Sequence, residues 1–182
     1  MLKSKIRKKI LKIRQNKNKG KINIKFIKIY NLLKNITQIN KKIIGGYYPI
    51  NHEIDDLKML KEFEKKKIKI SLPIIKKNSK MIFAQCSLND PFVINRFGIP
   101  EPTSNKIMIP DILLVPLVAF DKKLNRLGYG GGFYDRAIKL FKSKKKIITI
   151  GLAFDFQEVY FLPVSRHDQK LDYIITNKNI LR

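Results

Sequence analysis

The segment Arg126-Leu127-Gly128-Tyr129-Gly130-Gly131-Gly132-Phe133-Tyr134-Asp135-Arg136 has residue types that could hold an anion and a metal ion together. Four of the chain's nine glycines fall within five residues of it. With no side chains in the way, backbone N–H groups can approach a ligand closely, and φ > 0 conformations closed to other residues become available. A phosphate is the guest that suits such a loop. From Phe133 to Phe141 apolar residues recur at helical spacing, so the loop is expected to feed a helix N-terminus, whose dipole also favours negative charge. Asp135 would then stand beside the phosphates, where a carboxylate serves chiefly to hold a divalent cation. Two familiar signatures are excluded. A P-loop ends in Gly-Lys-Ser/Thr, where this loop has Gly-Phe-Tyr, and a dinucleotide fingerprint asks for glycine or alanine at position 133, which is Phe133. The glycines alone leave a second reading open, a tight surface turn with no ligand.

An alternating α/β chain is expected to position this loop. Leu2, Ile6, Ile10 and Ile13 recur at helical spacing and place Lys3, Arg7 and Arg14 on a neighbouring face of the same helix. A second helix is expected over Ile22 to Leu33, before an Asn/Lys-rich turn at Asn40. Strands are expected from Lys42 to Tyr48, stopped by Pro49, and from Ile68 to Leu72, stopped by Pro73, with a helix from Asp55 to Lys67 between them. Met81 to Ser87 reads as a further strand. The four prolines between Asn89 and Pro110 predict irregular chain. The apolar run Ile112 to Phe120 reads as a buried strand leading to the glycine loop and its helix. Strands at Ile147 to Phe154 and Tyr173 to Thr176 follow. Continuous apolar strands alternating with helices imply a parallel or mixed sheet covered on both faces. Ligands of such sheets bind beyond the carboxyl ends of the strands. The glycine loop follows one such end, and Tyr48 and Glu53 follow another.

At 182 residues and 44% hydrophobic content, the chain suits one domain with one core and is too apolar for disorder. A lone cysteine, Cys86, excludes an internal disulfide and suits a reducing cytoplasm; with only His52 and His167 beside it, a zinc site is not expected. The longest apolar run is far short of the roughly 18 residues that span a membrane. Charges separate Ile6, Ile10 and Ile13, so no secretory leader is expected. Neither a Gly-x-Ser-x-Gly elbow nor a Cys/His signature points to a nucleophilic hydrolase. Net charge is +25, and residues 1–52 hold 15 Lys or Arg with no Asp or Glu. A nucleic-acid surface is one reading of this excess. Lysine, isoleucine and asparagine are abundant throughout, however, and no nucleic-acid motif accompanies them, which favours a solvated surface.

Asp111 to Asp121 followed by Asn125 to Arg136 closely resembles the central motif of the 5-formyltetrahydrofolate cyclo-ligase (methenyltetrahydrofolate synthetase) family. The resemblance extends to Lys3 and Arg7, to Tyr48 and Glu53, to Phe97-Gly98-Ile99-Pro100-Glu101-Pro102, and to Phe154, Gln157, Leu162-Pro163 and His167-Asp168, in the expected order along nearly the whole chain. It implies a single-domain, three-layer α/β/α fold, Rossmann-like but without the dinucleotide fingerprint. The implied chemistry is ATP- and Mg²⁺-dependent cyclisation of 5-formyltetrahydrofolate to 5,10-methenyltetrahydrofolate, releasing ADP and phosphate.

The resemblance also assigns roles. Lys3 and Arg7, with Ser4, Lys5 and Ile6 between them, would bind ATP, as would Arg126 and the backbone of Leu127, Gly128, Tyr129, Gly130, Gly131, Gly132, Phe133 and Tyr134. Tyr129 to Phe133 would also border the formyl group. Tyr48 would supply a wall for the folate, and Glu53 would hydrogen-bond its pterin or hold its reactive conformation. From the residues alone, Glu53 reads as a helix N-terminal carboxylate. Asp135 and Asp168 would bind Mg²⁺, directly or through water, although Asp168 alone could cap a turn and Asp135 could cap a helix. His167 is expected to be structural. Phe133 stands where the family usually has tyrosine, so a role for that hydroxyl does not carry over. The basic surface would favour anionic ATP and a polyglutamylated folate. No specific nucleic acid and no membrane are expected as partners.

Overall fold

Residues 112 to 115 alternate between two apolar environments, and this alternation sets the layers of the computed structural model, which describes residues 2–17, 23–77 and 80–182. Ile112 and Leu114 join Ile44, Ile70 and Leu72 in one core, while Leu113 and Val115 join Phe83 and Ile174 in another. A strand buried on both faces has no polar side, hence its unbroken apolar sequence. In chain order the elements are α1 (Leu2–Lys17), α2 (Phe26–Ile36), β1 (Ile43–Gly45), α3 (Leu57–Lys65), β2 (Lys69–Ile75), β3 (Met81–Cys86), β4 (Phe92–Ile94) and β5 (Pro100–Pro102). They continue with β6 (Ile112–Pro116), β7 (Ala119–Phe120), β8 (Arg126–Leu127), α4 (Phe133–Lys142), β9 (Ile148–Ala153), β10 (Tyr173–Thr176) and β11 (Ile180–Leu181).

The central sheet has the order β11-β10-β9-β6-β1-β2-β3, with β10, β9, β6, β1 and β2 parallel and the two outer strands antiparallel to their neighbours. Ile29 and Leu33 of α2 and Leu60 and Phe63 of α3 cover one face; Ala137, Ile138 and Phe141 of α4 cover the other. The fold is thus the expected three-layer α/β arrangement. α1 stands apart from these layers. Its Ile10 packs with Val118, Ala119 and Leu127 on the small β7–β8 hairpin. β1 leads through α3 to β2 on one side of the sheet order, whereas the adjacent β6 leads through α4 to β9 on the other. A cleft opens beyond the carboxyl ends of such diverging strands.

Several boundaries differ from those the sequence predicts. The second helix begins at Phe26, since residues 23–25 are not helical, and Ile22 lies outside the described residues. The strand expected to reach Tyr48 ends at Gly45, where the chain leaves the sheet to build the cleft. Pro73 does not stop β2. The Ser71 carbonyl accepts from Gly46 N–H on the β1 side, so residue 73, two positions on, also directs its backbone to that side, beyond the end of β1. No ladder bond is lost there. The proline-rich stretch contains the β4–β5 hairpin, turned at Gly98 (φ 73°) and held by Asn95 Oδ1, which accepts from Phe97 and Ile99 N–H. The run ending at Phe120 breaks after Pro116 because its last residues pair with β8 instead of continuing in the sheet.

Gly46 shows how tightly the chain turns out of β1. A Cβ there would lie 2.5 Å from Leu60 Cδ1 and 2.6 Å from Asp56 Oδ2. Gly46→Ala is expected to lower stability by about 1–3 kcal/mol through overpacking, read as a lower midpoint in urea unfolding; an unchanged midpoint would show that the turn relaxes freely.

Candidate active site

The cleft is a cavity of about 490 Å³, within the size range of small-molecule sites. Lys3 and Arg7 of α1, Tyr48 and Glu53 after β1, the segment Arg126 to Asp135, and Asp168 all line it. Ser4 and Lys5 are exposed and Ile6 packs against the Ile10 cluster; none of the three lines the cavity. His167 is exposed and also outside the lining, with Arg166 Nε 3.1 Å from its Nε2.

Two glycines in the loop occupy left-handed backbone conformations, Gly130 at φ 109° and Gly132 at φ 65°, which side chains rarely tolerate. Gly132 immediately precedes α4. Arginines fasten the loop from both sides: Arg7 Nε donates to the Gly128 carbonyl at 2.7 Å, and Arg136 Nη2 to the Gly131 carbonyl at 2.9 Å. Among the described residues, the N–H groups of Gly130, Gly131 and Gly132 donate no hydrogen bond. This arrangement suits an anion, because the carbonyls are occupied by cations while the donors remain unspent.

Arg126 is buried beneath the loop, its guanidinium 5.8 Å from the Tyr134 ring centroid. Nη2 lies 2.8 Å from Asp135 Oδ1 as an ion pair, and Nε has no hydrogen-bond partner among the described residues. Burial pulls the Arg126 pKa down and the Asp135 charge opposes that pull. Asp135 Oδ1 also accepts from Gln169 N–H at 3.0 Å. The side chain therefore bonds to the segment beside Asp168, and α4 has no side-chain cap at its start. Asp168 Oδ2 accepts from Lys3 Nζ at 2.5 Å and Ser165 N–H at 2.7 Å. Asp135 and Asp168 thus both face the cavity, and these bonds use one oxygen of each. No group of three or more His, Cys, Asp or Glu side chains suited to a metal ion occurs among the described residues.

Glu53 is 8% exposed. Non-glycine residues Asn51 and His52, at φ 48° and 60°, form the turn that delivers it. Its Oε2 accepts from Ile50 N–H at 2.9 Å, while its own N–H donates to the Ile50 carbonyl. The carboxylate thus closes this turn, and α3 starts four residues later. Oε1 is buried without a hydrogen-bond partner among the described residues. Burial pushes the Glu53 carboxyl from 4.5 up to about 7, against the Ile50 N–H, the Arg14 charge and the Tyr129 hydroxyl, which favour ionisation.

The cavity includes residues that the sequence reading had not assigned to the site. Tyr47, beside Tyr48, is buried with its hydroxyl donating to the Ile54 carbonyl, and its N–H donates to Asp56 Oδ2. Pro73, Ile75 and Met81 form an apolar wall, and the hairpin contributes Asn95, Phe97, Ile99 and Glu101. Phe97 meets Phe133 edge to face at 5.9 Å between centroids, so the substituted aromatic ring supports the hairpin tip. The Phe97–Pro102 stretch was the available signal for this wall. Gln157 is buried away from the cavity, donating to the Leu117 and Val118 carbonyls that follow β6. Cys86 is buried with its thiol pushed up to about 12, which leaves it protonated and poorly nucleophilic.

The profile of the 5-formyltetrahydrofolate cyclo-ligase family matches residues 1–177. The chain is 37% identical over 143 residues to a Haemophilus influenzae 5-formyltetrahydrofolate cyclo-ligase, covering 75% of this chain and 76% of that one. It is 32% identical over 144 residues to the Escherichia coli enzyme of the same name, covering 75% and 79%. Among solved structures it is similar to the Aquifex aeolicus 5,10-methenyltetrahydrofolate synthetase, with a TM-score of 0.81, 32% identity, and coverage of 100% of this chain and 93% of that chain. A Mycoplasma pneumoniae 5,10-methenyltetrahydrofolate synthetase matches with a TM-score of 0.71 and 27% identity, covering 97% and 99%. The chain belongs to the 5-formyltetrahydrofolate cyclo-ligase family. It is accordingly a ligase. No helix among the described residues is long and apolar enough to cross a membrane.

Glu53 makes stability depend on pH in a predictable direction. Its folded value lies above its usual one, so the folded protein binds more protons between about 4.5 and about 7. The contribution to stability is complete below that window and is lost as pH rises through it. Wild-type protein should therefore lose stability relative to Glu53→Gln by up to about 1.4 kcal/mol per pH unit across the window. Urea unfolding of both proteins at pH 5 and pH 8 measures this; an identical difference at both would exclude Glu53 as the titrating group.

Proposed function

We propose that the protein closes 5-formyltetrahydrofolate to 5,10-methenyltetrahydrofolate in the cytoplasm, using ATP and Mg²⁺ and releasing ADP and phosphate. One observation carries this reading: a single cavity joins the glycine loop, with its unspent N–H donors and nearby cations, to a pocket holding Tyr48 and the unsatisfied acceptor of Glu53. A nucleotide and a folate would meet there.

The formyl group of this substrate resists attack because nitrogen donates into its carbonyl, and its oxygen is a poor leaving group. Attack of the formyl oxygen on the γ-phosphate of ATP breaks the bond to ADP and gives an iminium phosphate. The folate nitrogen at position 10 then attacks the formyl carbon and gives up its proton, phosphate departs with the former formyl oxygen, and the ring closes. Catalysis of such transfers is mostly positioning and charge neutralisation. Lys3, Arg7 and Arg126 would neutralise phosphate oxygens, and an anion beside Arg126 would satisfy its unpartnered Nε. Glu53 Oε1 would accept a pterin N–H, with Tyr48 and Phe97 as walls. Asp135 and Asp168 fit a Mg²⁺ site shared with substrate phosphates, since Mg²⁺ commonly takes only one or two protein carboxylates. The ion would supply further neutralisation of phosphate charge.

Incubation of the purified protein with 5-formyltetrahydrofolate, ATP and Mg²⁺ should produce methenyltetrahydrofolate, followed by its near-ultraviolet absorbance. Failure to form product under ATP saturation would overturn the assignment.

Steady-state kinetics test the phosphate side separately. Lys3→Ala and Arg7→Ala should each raise the KM for ATP by about 10- to 100-fold, the worth of a lost charge-assisted contact, and change the folate KM far less. Lys5→Ala, on the exposed face of α1, should be nearly silent. Equal effects at all three positions would indicate general electrostatics instead of a phosphate site.

A further inference from the structure

Arg14 is 1% exposed and the largest fully buried side chain among the described residues. It lies one heptad beyond Arg7 on α1, beneath the glycine loop. Nη1 donates to the Leu117 carbonyl at 3.1 Å, Nη2 donates to the Tyr129 hydroxyl, and Nε has no partner among the described residues. Its guanidinium carbon is 5.7 Å from the centroid of the Tyr129 ring. Burying a guanidinium is costly unless negative charge faces it. The carboxylate whose field it meets through Tyr129 is Glu53.

The bond to Tyr129 has a direction. Arginine is only a donor, so the Tyr129 oxygen accepts from Arg14 and its proton is free to point elsewhere. The carboxylate on which this hydroxyl acts is Glu53, which lines the same cavity and whose Oε1 is buried without a partner among the described residues. Tyr129 thus has two ends, an exposed ring in the loop and a hydroxyl drawn inward between a cation and a carboxylate. Other titratable groups acting around Glu53 are Tyr47 and Asp56 from the segment between β1 and α3, and Tyr134 from α4. Arg126 acts on Tyr134, and Arg14 is the cation that acts on Glu53 itself.

We infer that Arg14 is a positioning residue for the folate end of the cavity, holding the Tyr129 hydroxyl so that its proton turns toward Glu53 and setting the charge against which Glu53 accepts the substrate. This inference rests on the folate reading of the site. Loss of Arg14 leaves Tyr129 undirected and Glu53 buried without its cation, so Glu53 becomes harder to ionise. Arg14 need not touch either substrate for this effect.

The test compares wild type, Arg14→Gln, Arg14→Lys and Tyr129→Phe, following the carboxyl ¹³C resonance of Glu53 against pH without ligands and the two KM values with them. Arg14→Gln should move the Glu53 midpoint up by about one pH unit, and Tyr129→Phe should move it in the same direction. Arg14→Lys, which keeps the charge, should restore most of the wild-type midpoint. Near pH 7, Arg14→Gln should raise the folate KM about tenfold and leave the ATP KM within about twofold, with the deficit shrinking at alkaline pH. A folded Arg14→Gln with an unmoved midpoint, or with both KM values raised equally, overturns the inference. Should Arg14→Gln fail to fold, the Tyr129→Phe titration decides in its place: an unmoved midpoint overturns the inference and an upward shift supports it. If wild-type protein makes no product, the folate reading fails, while the titrations still report whether Arg14 governs Glu53.

Discussion

The adjacent parallel strands β1 and β6 send their chains to opposite sides of the sheet, one through α3 and the other through α4. The opening left between their carboxyl ends is where the two connections begin, and the cavity lies there. Everything around the cavity answers to that constraint. β1 is three residues long because the chain must leave early, and Gly46 leaves room for Asp56 and Leu60 where it turns. β6 stops at Pro116, so the following residues can form the β7–β8 hairpin on which α1 rests. The helix that carries Lys3, Arg7 and Arg14 is thereby brought across the opening.

Charge in the cavity is arranged in internal pairs. Lys3 meets Asp168, and Arg126 meets Asp135. The pairs are partial matches: Arg126 retains an Nε with no partner among the described residues, and the bonds to each aspartate use a single oxygen. A site built this way can exchange an internal partner for a phosphate or a cation without leaving a bare charge at either stage, which limits the desolvation cost on binding. The net charge of +25 has little part in this. Many of its lysines, including Lys5, Lys8, Lys9 and Lys12 of α1, are exposed on the outer surface.

Much of this architecture was legible in the residues. The apolar run at Ile112, the helical spacing after the glycines and the recurrence of Leu2, Ile6, Ile10 and Ile13 each report a local period, and each marks an element, although the Ile112 strand stops at Pro116 and the rest of its run joins the β7–β8 hairpin. The glycine loop was recognisable because positive φ leaves a compositional trace. What escaped was non-local. Pro73 looks like a stop in the sequence, since whether a missing N–H costs a bond depends on where the neighbouring strand ends. The β4–β5 hairpin was hidden by its prolines, which an isolated two-stranded ribbon tolerates at its ends. Tyr47 and Tyr48 are adjacent in sequence but differ in burial, and nothing local tells them apart. Arg14 was placed on the correct helix face with Lys3 and Arg7, but its burial comes from the hairpin beneath it.

The attachment of the glycine loop by Arg7 and Arg136 joins two helices that otherwise belong to different parts of the molecule. α4 is anchored in the main core, whereas α1 is held by a small satellite cluster on the hairpin. The loop is therefore a hinge pin as well as a cradle. Any molecule that stiffens it also tightens α1, and any weakening of α1 loosens the loop, because both share the bond from Arg7 to the Gly128 carbonyl. Occupancy of the site and docking of the first helix are thus two readings of one equilibrium, and the protein should fray least where its chain begins when its cavity is full.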